Sequence, residues 1–145
     1  PGLFLVQGGE RATLLFRNYS GTMYASRSND NGETWSVPEK TNYADSTARI
    51  AAGNLPGCGT YVINNASATR FDRSQLVLGL SRDGVLFDRA FLLRSEPTSM
   101  RFEGEHKLDG WQYPHALSWK RHFYVAYTIN KEDVGITRIP LRKLR

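Results

Sequence analysis

The chain has 145 residues, of which 40% are hydrophobic and 12% aromatic; this suits one packed domain and excludes a disordered polypeptide. No apolar run approaches the ~20 residues that a helical membrane span needs, and no membrane partner is expected. Nineteen Lys and Arg against fourteen Asp and Glu give a net charge of +5, which favours an anionic partner or substrate, yet no Lys/Arg run exceeds two residues, so nucleic acid is not expected.

Strand and turn signals fill the chain in order. Leu3 to Val6, Ala12 to Arg17 and Thr22 to Ser28 are rich in β-branched, aromatic and leucine residues, with Gly8-Gly9 and Ser20-Gly21 between them. Thr34 to Val37 reads as a fourth strand. A second unit follows, with strands over Arg49 to Ala52, Thr60 to Ile63, Gln75 to Ser81 and Phe87 to Leu93. Ser95 to Gly110 is polar, contains Pro97, and reads as a long connection. Tyr113 to Trp119, His122 to Tyr127 and Val134 to Ile139 form a third, partial unit, with Lys131-Glu132-Asp133 at a hairpin tip. No amphipathic helix of convincing length occurs.

Two turns share a pattern. The first is Ser28-Asn29-Asp30-Asn31-Gly32-Glu33-Thr34-Trp35, and the second is the shorter Ser81-Arg82-Asp83-Gly84-Val85-Leu86-Phe87. Asp and Asn side chains bond their own backbone and tolerate left-handed geometry, while Gly supplies a positive φ without steric cost. Ser28 and Ser81 tie their hydroxyls into the turn, and Trp35 and Phe87 set an aromatic beside it. The predicted role of Ser28, Asp30, Gly32, Trp35, Ser81, Asp83, Gly84 and Phe87 is structural. The two turns recur at blade-like spacing, close to known propeller repeats of about 40 to 50 residues.

The pattern Ser-x-Asp-x-Gly-x-Thr-Trp resembles the Asp box of the sialidase superfamily, and the resemblance covers essentially the whole chain. It implies an all-β fold: about three four-stranded antiparallel blades of a sialidase-like β-propeller, a partial ring with blades over residues 1–42, 43–95 and 96–145. Such a partial ring leaves two blade faces bare. Its completion is expected from further sequence upstream, this being the C-terminal half, or from a second copy.

The resemblance also implies a site. Family members grip a substrate carboxylate with three arginines and attack with a tyrosine assisted by a glutamate, a separate aspartate serving as acid/base. Leu14-Leu15-Phe16-Arg17-Asn18 resembles the strand that ends in a triad arginine, so Arg17 is a substrate-binding candidate. Arg73, three residues before the apolar start of the next strand, is a second, with Arg70 in reserve. A guanidinium suits this task because its planar fork meets a carboxylate bidentately. Tyr113-Pro114-His115 resembles the start of the strand that bears the nucleophile. A phenol avoids the repulsion that a carboxylate nucleophile would meet from an anionic substrate. Trp111 is a candidate for stacking on a sugar ring and His115 for facing the pocket. Pro114-His115 departs from the Ser-Asp often found at that place. The glutamate is expected just before Pro1.

Other signals are weaker. Cys58 is the single cysteine, which excludes an internal disulfide. His106, His115 and His122 form no metal-ligating pattern, and no phosphate loop, dinucleotide fingerprint or Ser-His-Asp spacing occurs; no metal or cofactor is expected. Glu103, Glu105 and Asp109 read as solvated loop charge. The expected function is exo-acting hydrolysis of an acidic sugar such as sialic acid, with a glycan as substrate and a secreted or periplasmic setting. The alternative is a non-catalytic carbohydrate-binding or scaffold propeller.

Overall fold

The structure is a computed structural model. It describes residues 3–7 and 11–145, with side chains from residue 11 onward; Pro1 and the Gly8-Gly9 turn lie outside these residues. The described chain is built of strands. The first antiparallel sheet runs β1 (Leu3–Gln7), β2 (Arg11–Phe16), β3 (Thr22–Ser28), β4 (Glu39–Ala44). The second runs β5 (Ala51–Leu55), β6 (Gly59–Asn64), β7 (Leu76–Ser81), β8 (Phe87–Arg94). The third has β9 (Trp111–Trp119), β10 (His122–Ile129) and β11 (Asp133–Pro140), closed by a 3-10 turn at Leu141–Lys143. Ser95 to Gly110 carries no strand, as its polar composition implies.

One predicted strand is corrected. Thr34 to Val37 does not continue the sheet, and β4 begins at Glu39. Ser36 is captured locally instead. Its amide donates to the Arg27 carbonyl (2.8 Å), its carbonyl accepts from the Ser26 hydroxyl (2.6 Å), and its own hydroxyl accepts the Arg27 amide (3.1 Å). Pro38 then has no amide to offer a ladder, so regular pairing waits for Glu39.

The sheets stack face to face with the second in the middle. Leu15, Met23, Ala25 and Tyr43 of the first sheet pack with Val62, Val77, Val85 and Phe87 of the second unit. The other side of the second sheet presents Leu55, Ile63, Leu76, Leu78 and Leu80 to Phe123, Val125 and Tyr127 of the third. β6 and β7 are consequently buried along almost their whole length, whereas β10 alternates buried and part-exposed residues. A strand covered on both faces reads as a continuous apolar run and a strand covered on one face alternates. The first strands of the sheets adjoin, β1 beside β5 and β5 beside β9.

Both Asp-box turns are self-bonded structures. The Ser28 hydroxyl accepts the Gly32 amide (2.8 Å) and donates to Asp30 Oδ1 (2.7 Å). The Thr34 hydroxyl and amide both donate to the Asp30 carboxylate. Those two bonds, with the one from Ser28, hold the Asp30 carboxyl at about 2. In the second turn, Ser81 Oγ accepts the Gly84 amide (2.9 Å), and Asp83 Oδ1 accepts those of Val85 and Leu86 (2.9 and 2.8 Å). Gly32 has φ +91° and Gly84 φ +77°, values that only glycine adopts freely. Phe87 packs against Tyr43 of the first sheet, ring centroids 4.7 Å apart and planes tilted by 46°. Trp35 instead folds back over its own turn, its indole N–H donating to the Gly32 carbonyl at 3.0 Å.

Candidate functional site

Successive strands alternate in direction, so the loops β2–β3, β4–β5, β6–β7 and β8–β9 open on one end of the stack. The two Asp-box turns, β3–β4 and β7–β8, lie at the opposite end. Every carboxylate of those boxes is therefore remote from the candidate site.

At the first end lies a polar cleft of about 210 Å³ lined by Arg17, Ala48, Arg49, Asn65, Arg73, Gln112 and Tyr113. Arg17 stands one residue beyond β2 and Arg73 three before β7, so both arrive from strand ends. Arg17 Nη1 donates to the Thr47 carbonyl at 3.2 Å. Arg73 Nη1 donates to the Ser46 hydroxyl at 3.0 Å and the Asp72 carbonyl at 3.2 Å. Burial lowers the pKa of the Arg73 guanidinium and the charge of Arg17 adds to that, while Tyr113, Asp45 and Asp72 oppose it. Two neighbouring guanidinium groups, one of them partly desolvated, repel each other and gain from an anion placed between them.

Beneath the arginines, Asp45 is only 2% exposed. Its carboxylate accepts the Asn18 amide (3.0 Å, Oδ2) and the Thr47 amide (3.1 Å, Oδ1). Burial pushes the Asp45 carboxyl up, against those amides and the charges of Arg17 and Arg73. On the cleft wall, Asn65 donates through Nδ2 to the carbonyls of Gln75 (2.6 Å) and Trp111 (2.9 Å).

Tyr113 enters the cleft through a break in β9. His115 pairs with Ala126 and Gln112 with Thr128, so Tyr113 and Pro114 together oppose Tyr127 alone. That is a β-bulge, and a bulge re-aims the side chains around it. Pro114 fits there because the unpaired position asks for no amide. Tyr113 takes φ +52°, is 44% exposed, and has the Lys131 ammonium 5.5 Å from its ring centroid. An aromatic residue in the left-handed region stores strain of about 1–3 kcal/mol and persists only where its surroundings fix it.

The same bulge separates residues that strict alternation would set on one face. Trp111, predicted to stack on a sugar, lies in the core at 6% exposure, edge-on to Tyr127 at 5.6 Å. His115, predicted to face the pocket, lies on the outer face of the third sheet. There it borders an open apolar hollow of about 640 Å³ with Leu117, Trp119, Tyr124 and Ile136. That hollow is larger than the cleft, but it lacks convergent polar groups and is a bare sheet face. The reserve candidate Arg70 stacks over the Tyr19 ring (4.1 Å) and Phe71 ring (4.5 Å). Among the described residues no group of three or more His, Cys, Asp and Glu is placed to hold a metal ion.

Sequence reasoning missed Arg49, Asn65, Gln112 and the run Asp45-Ser46-Thr47. The run carries a turn signal in its Asp and Ser, but nothing in its spacing shows that it would sit under both arginines.

Residues 3–125 match the BNR repeat-like domain family. The chain belongs to that family. This BNR-repeat chain is also similar to solved structures. One, a sialidase, shares 28% identity with a TM-score of 0.75, over 97% of this chain and 13% of that one. A complex of the NanB sialidase from Streptococcus pneumoniae with 2-[(3-chlorobenzyl)ammonio]ethanesulfonate gives 17% identity and a TM-score of 0.65, over 87% of this chain and 19% of that one. A mutant of NanB sialidase gives 16% and 0.70, over 97% and 23%. The BNR-repeat chain thus spans less than a quarter of the length of each of these three, and its three sheets are blades of the sialidase-like propeller. No curated protein sequence matches it.

Proposed function

We propose that this chain contributes the arginine-and-tyrosine part of an exo-glycosidase site acting on an acidic sugar such as sialic acid. Arg17 and Arg73 would clamp the sugar's carboxylate, and the Tyr113 phenol would attack the anomeric carbon. The supporting observation is convergence: two guanidinium groups and one phenol, distant in sequence, line one cleft. A clamp of this kind holds the anion by paired, charge-assisted hydrogen bonds, and the strained Tyr113 is presented already aimed. A glycan is the proposed partner and a secreted or periplasmic setting the proposed location; no helix among the described residues is long and apolar enough to cross a membrane.

A second reading has its own support. Among the described residues no Asp or Glu lines the cleft, and glycoside hydrolysis needs an acid/base group. A binding propeller would use the same arginines to hold an acidic sugar without cleaving it. The deciding measurement is turnover of an activated aryl glycoside of sialic acid by the protein that carries this chain. Tyr113→Phe is expected to reduce that turnover by on the order of 10³-fold or more, with an unchanged circular dichroism spectrum. Unchanged turnover removes Tyr113 from the mechanism. Binding of the free sugar without any turnover by the parent protein favours the binding module.

A further inference from the structure

One short turn stands under both arginines. Ser46 is fully buried and Asp45 nearly so. Between them, Ser46 Oγ accepts from Arg73 Nη1 (3.0 Å) and the Thr47 carbonyl accepts from Arg17 Nη1 (3.2 Å). The turn is itself pinned from several sides. The Asp45 carboxylate takes the amides of Asn18, next to Arg17 in sequence, and of Thr47. The Ser46 carbonyl accepts the Phe71 amide (2.9 Å), and the Ser46 amide donates to the Asn65 carbonyl (3.3 Å). Thr47 is held at φ +63°, a conformation costly for a β-branched residue, which persists only when neighbouring bonds over-determine it.

We propose that Asp45 is a positioning residue: it locks the Asp45–Thr47 turn and thereby fixes both guanidinium groups at the separation the anion requires. The inference rests on the reading of the cleft as an anion site. Its physical content is pre-organisation. Arg17 and Arg73 have long, rotatable side chains and repel one another, so without a fixed acceptor for each they spread apart. Ser46 and Thr47 supply those acceptors from one rigid piece of backbone. A carboxylate is apt as the lock because it accepts two amides at once and sets a negative charge beneath two cations.

The test compares N-acetylneuraminic acid with its methyl ester, which lacks the anion, as ligands of the protein that carries this chain. The parent is expected to prefer the acid. Asp45→Asn keeps the shape but loses one acceptor and the charge. It should weaken binding of the acid by about ten- to a hundredfold and leave the ester within about twofold. A residue that merely supported the fold would weaken both ligands alike. Ser46→Ala leaves the lock intact and removes the turn's acceptor for Arg73, leaving that guanidinium only the Asp72 carbonyl, so an intermediate loss is expected; that variant tests the turn's hold on Arg73 if Asp45→Asn does not fold. The Nε–Hε NMR signals of Arg17 and Arg73 report positioning without ligand and should shift or broaden in Asp45→Asn. If the parent prefers the acid but neither variant reduces that preference, the positioning role is wrong and the anion site stands. If the parent shows no preference, the anion site is wrong; the inference falls with it, whatever the arginine signals do.

Discussion

Arg17, Arg73 and Tyr113 differ in what holds them. Arg17 is exposed and, among the described residues, bonds through its side chain to one backbone carbonyl. Arg73 is half-buried and loses hydration that a bound anion would replace, so Arg73 should contribute more affinity than Arg17. Arg73→Lys is expected to raise KM for an acidic substrate by about tenfold with little change in kcat, because an ammonium cannot reproduce the two-pronged contact. Steady-state kinetics of the variant beside the parent checks this; an unaltered KM removes Arg73 from the clamp. The two arginines were readable through the family resemblance, Arg17 just past the end of one apolar strand and Arg73 three residues before the start of another. The Asp45 turn was not, since its importance lies in what packs over it.

At the scale of elements, the long connection before β9 shows how a loop without secondary structure is held. Its fastening is Glu132 at the β10–β11 tip, whose side chain is 5% exposed. It accepts the amides of Arg101 (3.0 Å) and Phe102 (2.9 Å) and the ammonium of Lys107 (2.6 Å). The hydrogen bond from Lys107, then that from the Arg101 amide, lowers the Glu132 carboxyl from its ordinary 4.5 to about 2. A folded-state pKa below the unfolded one means that the unfolded chain binds more protons in that interval. The stabilisation is therefore complete above pH 4.5 and lost as pH falls toward about 2. Urea denaturation of parent and Glu132→Gln across that window should show a shallower loss in the variant; equal slopes would dismiss the clasp. Gly110, at the end of the same connection, has φ +115°, and an added Cβ would lie 2.0 Å from the Arg73 carbonyl oxygen. The Trp111 amide donates to that same carbonyl at 3.0 Å, so the entry to β9 and the Arg73 loop are joined by backbone. The connection was legible from its polar composition, but its clasp was not, because Glu132 lies about thirty residues downstream and hairpin-tip charge ordinarily means solvent.

At the scale of the molecule, the third sheet leaves an apolar face uncovered. Leu117 and Trp119 on β9 and Ile136 on β11 are each more than half exposed, and the face forms one side of the 640 Å³ hollow. Contiguous exposed apolar surface of this kind drives association. These 145 residues expressed alone are expected to associate with rising concentration. Leu117→Lys combined with Ile136→Lys should shift sedimentation velocity profiles toward the monomer. A monomeric parent at all concentrations would refute this.

The sequence by itself determined most of the units of this protein: strands from their residue types, apart from Thr34 to Val37, turns from Asp, Ser and Gly spacing, and box carboxylates that serve the turn. These are local matters, settled by backbone conformation and by bonds among residues a few positions apart. The tertiary structure alone decided which side chains meet. A one-residue bulge, invisible in the alternation of β9, sent Trp111 into the core and His115 to the outer face and left Tyr113 in the cleft. Side-chain period in a strand is two, so a single extra residue reverses every face beyond it, and only the packed sheets fix where that residue falls.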